Sequence, residues 1–250
     1  MLTQPTVERL HTLGLVGMAQ ALAEQLQSDN DELTFLERMG LLVDREQTER
    51  ENRRLRTRLA QAHLRQTASV EDVNLKLPRG LDKALFRSLS SCQWIAKHHN
   101  LLITGKTGVG KSYLACALAQ KACRDGYRVL YVRVTRLLSE LGLAKGDGRY
   151  PKLLASLART DLLVLDDWGL QPFSDGQRRD LLEILDDRYD RRSTLVTSQL
   201  PVDSWHDAIG DPTLADAVLD RLIHNAYRLP LTGESVRKRR GLTESEEVAP

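Results

Sequence analysis

The sequence predicts an α/β fold, in which a parallel five-stranded sheet lies between helices and a small all-α domain precedes it. Beyond about residue 81, apolar runs of strand length alternate with amphipathic stretches of helical period. Continuously apolar strands in such an alternation are typical of a parallel sheet that is covered on both faces. Before that point, residues 33–64 contain no proline and a single glycine, which favours a long helix.

The N-terminal part is predicted to be helical to about Ser69. Its leucines recur at helical spacing over 10–26, with Gly14 and Gly17 as breakers. The charge changes sign along this part. Residues 1–44 hold two arginines and seven acids, a net −5, whereas residues 45–70 hold seven arginines and three acids, a net +4. The second stretch is therefore the candidate for contact with an acidic partner.

Arg50, Arg54 and Arg58 stand at i, i+4 and i+8, so they form one basic stripe on a helix, and Arg53 lies beside it. Such a stripe can lie along DNA phosphates and give affinity without reading sequence. No base-reading motif accompanies it, so we expect salt-sensitive and sequence-tolerant DNA binding. The alternative is a solvated face, in which the arginines pair with the acids that neighbour them, namely Glu46, Glu49 and Glu51.

Pro78 and Gly80 interrupt the helical pattern and mark a domain boundary. We expect a helical DNA-binding or partner-binding domain over 1–69, a linker over 70–80, an ATPase domain over 81–240 and an acidic flexible tail over 241–250. The predicted strands are 101–104, 129–134, 162–166, 194–198 and 227–231. The predicted helices between them lie near 112–125, 135–144, 151–158, 175–190 and 213–224.

Composition excludes several classes of protein. No run approaches the ~18 consecutive apolar residues of a membrane span, and the N-terminus lacks a signal pattern, so we expect a cytoplasmic protein without membrane contact. Cys92, Cys116 and Cys123 form no CxxC pair, and the histidines lack the spacing of zinc ligands. The spacing of Cys116 and Cys123 favours two small core residues on a helix. The net charge of +2 alone does not indicate a nucleic-acid binder.

The most specific motif is the glycine-rich stretch at 105–112, which fits the GxxxxGK[ST] pattern of a phosphate-binding loop. An apolar strand precedes it and a helical pattern follows it, as the motif requires. Lys111 is predicted to reach the β- and γ-phosphates of ATP, and Ser112 to ligate Mg²⁺. The residues predicted to bind the nucleotide are Gly105, Lys106, Thr107, Gly108, Val109, Gly110, Lys111, Ser112 and Tyr113.

Two acids follow the predicted strand at 162–166. The carboxyl ends of strands are where ligands bind in an open α/β sheet, so Asp166 is predicted to hold Mg²⁺ and Asp167 to orient or activate the attacking water. Taken alone, the pair is equally consistent with capping or solvated acids. At the end of the strand over 194–198, Gln199 is predicted to touch the γ-phosphate or the water, although a polar turn before Pro201 explains it equally.

Two arginines near the C-terminus, Arg221 and Arg237, are candidates to reach a nucleotide in the same chain or in a neighbouring subunit. An arginine supplied by a neighbour neutralises charge in the transition state and makes hydrolysis depend on assembly. The alternative is a surface arginine that pairs with an acid.

Over nearly its whole length the chain resembles the IstB-like ATPases, the helper proteins of a class of bacterial insertion sequences. These are AAA+ proteins close to the DnaC helicase loader and more distantly related to the DnaA initiator. The motifs that carry the resemblance lie at 13–26, 41–46, 49–54, 105–112, 165–170, 189–194, 197–201, 205, 210–213, 220–222 and 233–235.

The resemblance implies an AAA+ core that binds ATP and Mg²⁺, assembles as a ring or helical filament on duplex DNA, and recruits or stimulates a partner transposase. Hydrolysis is then expected to control disassembly. By the same resemblance, Lys111 and Ser112 match Walker A, and the two acids after the third strand match Walker B. Gln199 falls at the sensor-1 tip, Arg221 in the arginine-finger region, and Arg237 in a terminal sensor-like motif.

One position departs from the family pattern, because AAA+ proteins usually have Glu where Asp167 stands. The shorter side chain sets the carboxylate back, and a misplacement near 1 Å can cost ~10²-fold in rate. We therefore expect slow hydrolysis. Three other functions stay open from the sequence: a helicase loader of the DnaC type, a scaffold that binds ATP without hydrolysing it and, least favoured, a small-molecule kinase, for which we find no lid segment.

Overall fold

The structure is a computed structural model that describes residues 3–27 and 33–235. The chain divides into two compact units, which meet in the sequence between Thr57 and Arg58. The expected domain limits, with a linker over 70–80, stay a prediction. The acidic tail expected over 241–250 lies outside the described residues.

The N-terminal unit consists of helices, as predicted. Helix α1 spans Thr3–Thr12, α2 spans Val16–Gln27, and α3 begins at Phe35. Gly17 lets α2 and α3 approach closely, because a Cβ at that position would lie 2.7 Å from the carbonyl oxygen of Arg45. The buried carboxylate of Glu46 accepts hydrogen bonds from the amides of Gly17 at 2.8 Å and Met18 at 3.2 Å, so it caps the first turn of α2.

Helix α3 ends at Ala62, whereas the sequence pattern predicts helix to about Ser69. The next residue, His63, has a φ of 50°, in the left-handed region that ends a helix. Residues 64–79 then form turns and irregular backbone and do not continue the helix. The helical expectation for 63–69 is therefore wrong, because periodicity does not reveal where the backbone leaves the helix.

The second unit alternates strands and helices as the sequence predicts. Its strands are β1 (Asn100–Gly105), β2 (Val129–Arg133), β3 (Leu162–Trp168), β4 (Ser193–Ser198) and β5 (Ala226–Leu231). The helices that precede β1 are α4 (Lys83–Leu89) and α5 (Gln93–Ala96). Those that follow are α6 (Lys111–Arg124), α7 (Val134–Gly146), α8 (Tyr150–Arg159), α9 (Asp175–Arg188), α10 (Trp205–Ile209) and α11 (Pro212–Ile223).

Local sequence sets several of these boundaries. Ser174 and Gln177 form a capping box at the start of α9. At the start of α11, the Asp211 side chain accepts a hydrogen bond from the amide of Leu214 at 2.9 Å, and Pro212 occupies the first helical position.

The five strands form one parallel sheet in the order β2-β3-β4-β1-β5, which confirms the predicted fold class. Strand β1 therefore lies between β4 and β5, and β3 lies between β2 and β4. All five strands point the same way, so the loop after β1 and the acids at the end of β3 meet at one edge of the sheet. The register of β3 against β4 shifts between Leu165 and Trp168, where the two acids stand.

The core beside this edge is apolar and aromatic. The ring of Trp168 packs against Phe173 with 5.4 Å between centroids and against Trp205 with 5.5 Å. Cys116 and Cys123 on α6 are wholly buried with free thiols, as their spacing predicts. None of the helices in the described part of the chain combines the length and the apolar content that a bilayer crossing requires.

Candidate nucleotide site

The loop between β1 and α6 curls through three glycines with positive φ, namely Gly105 at 144°, Gly108 at 87° and Gly110 at 97°. These angles favour glycine, and space requires it as well. A Cβ on Gly108 would overlap the hydroxyl of Ser235, and one on Gly110 would lie 2.8 Å from Nη1 of Arg79. The backbone amides of such a loop converge on a concave surface that suits an anion.

Lys111 begins α6, and its side chain turns back over the loop. Its Nζ donates hydrogen bonds to the carbonyl oxygens of Gly105 at 2.7 Å and Lys106 at 3.0 Å. The residue is 7% exposed, so the ammonium group is held close to the loop rather than in solvent. The N-terminus of α6 adds partial positive charge at the same place.

Asp166 is fully buried at the end of β3 and accepts hydrogen bonds from three hydroxyl groups. Ser112 Oγ, in the first turn of α6, lies 2.9 Å from Oδ1 and 3.1 Å from Oδ2. The hydroxyls of Thr197 on β4 and Tyr131 on β2 also donate to the carboxylate. Burial and the hydrogen bond to Asp166 raise the pKa of Tyr131 above its usual range.

Asp167 has a φ of 63°, and its amide donates to Oγ1 of Thr197 at 3.2 Å instead of continuing a regular ladder. This irregularity directs the side chain into the cavity described below. Nε of Arg133 lies 3.6 Å from Oδ2 of Asp167. Burial and the neighbouring Asp166 raise the pKa of Asp167, which favours a role in accepting a proton.

A cavity of about 370 Å³ opens between these elements. The loop and α6 contribute Thr107, Gly108, Gly110, Lys111, Ser112 and Tyr113. The ends of the strands contribute Asp167, Leu170 and Gln199. The segment between α3 and α4 contributes Arg65, Gln66, Asp72, Asn74, Leu77 and Arg79. The cavity therefore joins the phosphate-binding loop to a mixed polar and apolar wall.

Several sequence-predicted residues meet in this cavity and others do not. Gln199 reaches the loop, where its Oε1 accepts a 2.6 Å hydrogen bond from Thr107. Val109 is wholly buried and does not line the cavity. Arg221 lies on α11 outside the lining, with Nε 3.0 Å from Asp186 Oδ1. Arg237 lies outside the described residues.

Two of the arginines predicted to bind DNA make contacts within their own unit. Arg50 Nε lies 2.6 Å from Glu46 Oε1, and Arg58 Nε donates to the carbonyl oxygen of Cys123 at 2.8 Å. Arg53 and Arg54 are exposed. Arg50 therefore forms an ion pair with Glu46, one of the acids that the alternative interpretation of the stripe predicts as partners.

Four residues at the site have no assigned role in the sequence-based predictions. Tyr131 and Thr197 point to Asp166 because the strand order places β2 and β4 on either side of β3. Arg65 and Arg79 reach the cavity from the segment before α4. The polar stretch at the end of β4, residues 197–199, gave a partial indication of Thr197, but nothing in local spacing points to Arg65.

The donor set fits a nucleotide and its metal ion. A carboxylate and a hydroxyl in contact are the oxygen ligands that Mg²⁺ uses, together with phosphate oxygens and water. Among residues 3–27 and 33–235, no group of three or more His, Cys, Asp or Glu side chains is placed to hold a metal. Asp166 and Ser112 would therefore hold Mg²⁺ jointly with the nucleotide rather than as a closed protein site.

Comparison with known proteins agrees with this geometry. A family model described as IstB-like ATP binding protein matches residues 8–244. The chain belongs to this family. A Sinorhizobium fredii protein named as an insertion sequence ATP-binding protein, y4pL, is 54% identical to it over 239 residues, which are 95% of this chain and 98% of that protein. The ATP binding in the description of this IstB-like family agrees with the glycine-rich loop at 105–112.

Solved structures agree with the fold of this IstB-like protein. The DnaC helicase loader matches it with a TM-score of 0.58 and 24% identity, over 66% of this chain and 97% of that one. The replication initiator DnaA bound to AMPPCP and single-stranded DNA matches with a TM-score of 0.57 and 16% identity, over 74% of this chain and 56% of that one. The core of the IstB-like protein therefore has the fold seen in DnaC and DnaA.

Proposed function

We propose that this IstB-like protein is a Mg²⁺-dependent ATPase that assembles on duplex DNA and recruits or stimulates the transposase of its insertion sequence. ATP hydrolysis would control disassembly. The observation that supports this most directly is the 2.9 Å contact between Ser112 Oγ and Asp166 Oδ1 beside the cavity that Lys111 lines. A hydroxyl and a buried carboxylate in contact, next to a lysine and an amide-rich loop, suit a triphosphate with its metal ion.

Each residue at the loop has a distinct task in this proposal. The amides between Gly105 and Lys111 would bind the phosphate oxygens, and the ammonium group of Lys111 would exchange its bonds to loop carbonyls for the β- and γ-phosphates. Ser112 and Asp166 would hold Mg²⁺, which when bound neutralises phosphate charge. Tyr131 would orient the Asp166 carboxylate through its hydrogen bond.

Hydrolysis needs a group that orients water and accepts its proton. Asp167 faces the cavity, and burial together with the neighbouring Asp166 raises its pKa, which makes it a better proton acceptor. Gln199 lies across the cavity next to Thr107, where an amide can sense the terminal phosphate. The short side chain of Asp167 supports slow turnover, which suits a timed clamp better than a motor.

Assembly would supply the remaining positive charge. Arg221 does not line the cavity of its own chain, and its guanidinium pairs with Asp186 at 3.0 Å on the surface formed by α9 and α11. We propose that Arg221 or Arg237 reaches the nucleotide of a neighbouring subunit, which makes hydrolysis depend on oligomerisation. DNA would contact exposed arginines of α3, with Arg53 and Arg54 free of the contacts that hold Arg50 and Arg58.

Phosphate release, measured with and without saturating duplex DNA, tests the enzymatic part. The parent protein should release phosphate slowly and faster on DNA. Lys111→Ala should abolish both nucleotide binding and DNA-stimulated release, and Asp166→Asn should abolish release while the protein stays folded by circular dichroism. A Lys111→Ala protein that binds and hydrolyses like its parent would overturn the proposal. Nucleotide binding without release would indicate a scaffold rather than an enzyme.

The partner needs a separate test, because this chain shares its fold with the DnaC helicase loader and a shared fold does not identify a partner. Purified protein with ATP and duplex DNA should retain the transposase encoded beside it in a pull-down and should not retain the replicative helicase of the same host. Retention of the helicase alone would instead establish a helicase loader. Electron microscopy of the DNA complex with a slowly hydrolysed ATP analogue should show a ring or a helical filament.

A further inference from the structure

Arg65 brings a positive charge to the acids at the end of β3 from outside the strands and the phosphate-binding loop. Its Nη1 lies 3.5 Å from Asp166 Oδ2 and 4.0 Å from Asp167 Oδ2, and its side chain is 38% exposed. Although burial opposes it, the hydrogen bond with Tyr131 and the charges of both acids raise the pKa of Arg65. The guanidinium is therefore held by Asp166, the carboxylate that would bind Mg²⁺, and by its neighbour Asp167.

The oxygens of Asp166 are already heavily used. A carboxylate offers about four lone-pair sites. Ser112, Thr197 and Tyr131 direct hydroxyl groups at this one, and Arg65 adds a guanidinium. Of these four neighbours, Arg65 alone is charged. A divalent cation that draws on the same oxygens, directly or through water, would repel the guanidinium and leave the three hydroxyl groups in place.

The backbone that bears Arg65 is fastened along α6. Glu71 pairs with Arg124 at 2.5 Å, and the hydroxyl of Tyr113 donates to the carbonyl oxygen of Asp72 at 3.5 Å. We call residues 63–72 the strap. In the sequence it follows directly after the end of α3, the helix that bears the arginine stripe, at Ala62.

We propose that Arg65 is a displaceable counter-ion of the Asp166–Asp167 pair, which Mg²⁺ bound with ATP expels, so that metal and nucleotide together loosen the strap. This inference rests on the nucleotide and metal site of the proposed function. Arg65 acts through the acids and is a positioning residue.

A titration of Mg²⁺ measures the competition directly. A fluorescent, non-hydrolysable ATP analogue is held at fixed concentration with the full-length protein, and its anisotropy is followed as MgCl₂ increases. Removing a competing cation in Arg65→Ala should lower the half-saturating Mg²⁺ concentration by about threefold to tenfold. Arg65→Lys keeps the charge but loses the planar guanidinium, so its half-saturating Mg²⁺ concentration should lie between those of the parent and Arg65→Ala.

Arg124→Ala is the matched control, because it breaks the ion pair of the strap with Glu71 without touching either acid. It should show the Mg²⁺ dependence of the parent protein. The inference is overturned if Arg65→Ala needs as much Mg²⁺ as its parent or more, or if Arg124→Ala produces the same shift as Arg65→Ala.

Hydrogen exchange provides a test that needs no variant. In the parent protein saturated with the analogue, residues 63–72 should exchange faster with Mg²⁺ than with a chelator, and equal or slower exchange would overturn the inference. The two proposals fail differently. If the parent protein binds no analogue at any Mg²⁺ concentration, the proposed function fails, whereas normal binding with an unshifted Arg65→Ala titration removes only the counter-ion.

Discussion

The hydroxyl of Thr107 donates a 2.6 Å hydrogen bond to the side-chain oxygen of Gln199, which joins the phosphate-binding loop to the end of β4. The two residues are 92 positions apart in the sequence, and both line the cavity. The contact places an amide group beside the loop segment that would surround the terminal phosphate. The position of Gln199 can therefore depend on whether that phosphate is present.

We expect Gln199→Ala to lower the rate of ATP hydrolysis by roughly tenfold to a hundredfold, because an amide that contacts the transition state is lost. Binding of ADP should change little, since the rest of the loop is intact. Phosphate release and ADP titration measure the two effects. Thr107→Val removes the same hydrogen bond but keeps the Gln199 amide, so it should lower the hydrolysis rate less than Gln199→Ala does. An equal loss of rate in the two variants would mean that Gln199 only holds the loop in place.

Lengthening the second acid is expected to speed hydrolysis. Asp167→Glu extends the side chain by one C–C bond, about 1.5 Å, and we expect turnover per folded molecule to rise roughly tenfold or more. The φ of 63° suits Asp better than Glu, so the variant should also melt at a lower temperature. Single-turnover phosphate release and thermal denaturation measure both changes. Asp167→Asn keeps the shape and should lose hydrolysis; a slower Asp167→Glu protein would contradict the explanation.

The contact between α2 and α3 is expected to tolerate no side chain at Gly17. A Cβ there would lie 2.7 Å from both the Arg45 carbonyl oxygen and the Glu46 Cα, so Gly17→Ala should destabilise the N-terminal unit by about 1–3 kcal/mol. Gly40 is the matched control, since it lies within α3 and a Cβ there meets nothing within 4 Å. Gly40→Ala should instead stabilise the helix by up to about 1 kcal/mol. Urea denaturation followed by circular dichroism gives both values.

Because Glu46 caps α2 through its carboxylate, we expect the stability of the N-terminal unit to depend on pH. Burial opposes ionisation, but the hydrogen bonds from Arg50, Met18 and Gly17 hold the pKa of Glu46 below its usual 4.5. A lowered carboxylate pKa contributes stability that is fully present above the unfolded-state value of 4.5 and is lost as the pH falls through the folded-state value. The parent should therefore lose stability in acid more steeply than Glu46→Gln.

At neutral pH, Glu46→Gln should be less stable than its parent by about 1–2 kcal/mol, because hydrogen bonds to a buried charged group are weakened. The difference should vanish in acid, where Glu46 is protonated in both states. Urea denaturation at several pH values measures it, and a difference that stays constant down to the acid limit would contradict the assigned ionisation.

DNA binding is expected to depend on the exposed arginines of α3. Replacing Arg53 and Arg54 by alanine should weaken duplex binding alike for unrelated sequences, and should lower the slope of log affinity against log salt by about two. Fluorescence anisotropy at several salt concentrations measures the slope. Arg149→Ala, a 62% exposed arginine of the second unit, serves as the control and should leave the slope unchanged. An unchanged slope in the double variant would exclude phosphate contacts at these positions.

Local pattern was sufficient for much of this protein. The alternation of apolar runs and amphipathic stretches predicted the five strands and every helix between them except α10. A strand buried on both faces is continuously apolar, whereas a helix that covers the sheet is apolar on one side only. The glycine-rich turn between a strand and a helix was predicted at 105–112, because glycines at fixed spacing let the backbone curl there, and its phosphate-binding role stays a prediction. Asp166 followed from its place at the end of an apolar strand.

What the sequence by itself determined is therefore the α/β class, the glycine-rich loop before α6 and the acid at the end of β3 beside it. The tertiary structure decided the rest: the hydroxyl of Tyr131 on Asp166, the backbone irregularity that turns Asp167 into the cavity, and the arrival of Arg65. The physical reason is that these contacts join residues far apart in the sequence. Periodicity and spacing record which face of an element is buried, whereas these contacts depend on the order of the strands and on the path of a segment without regular structure.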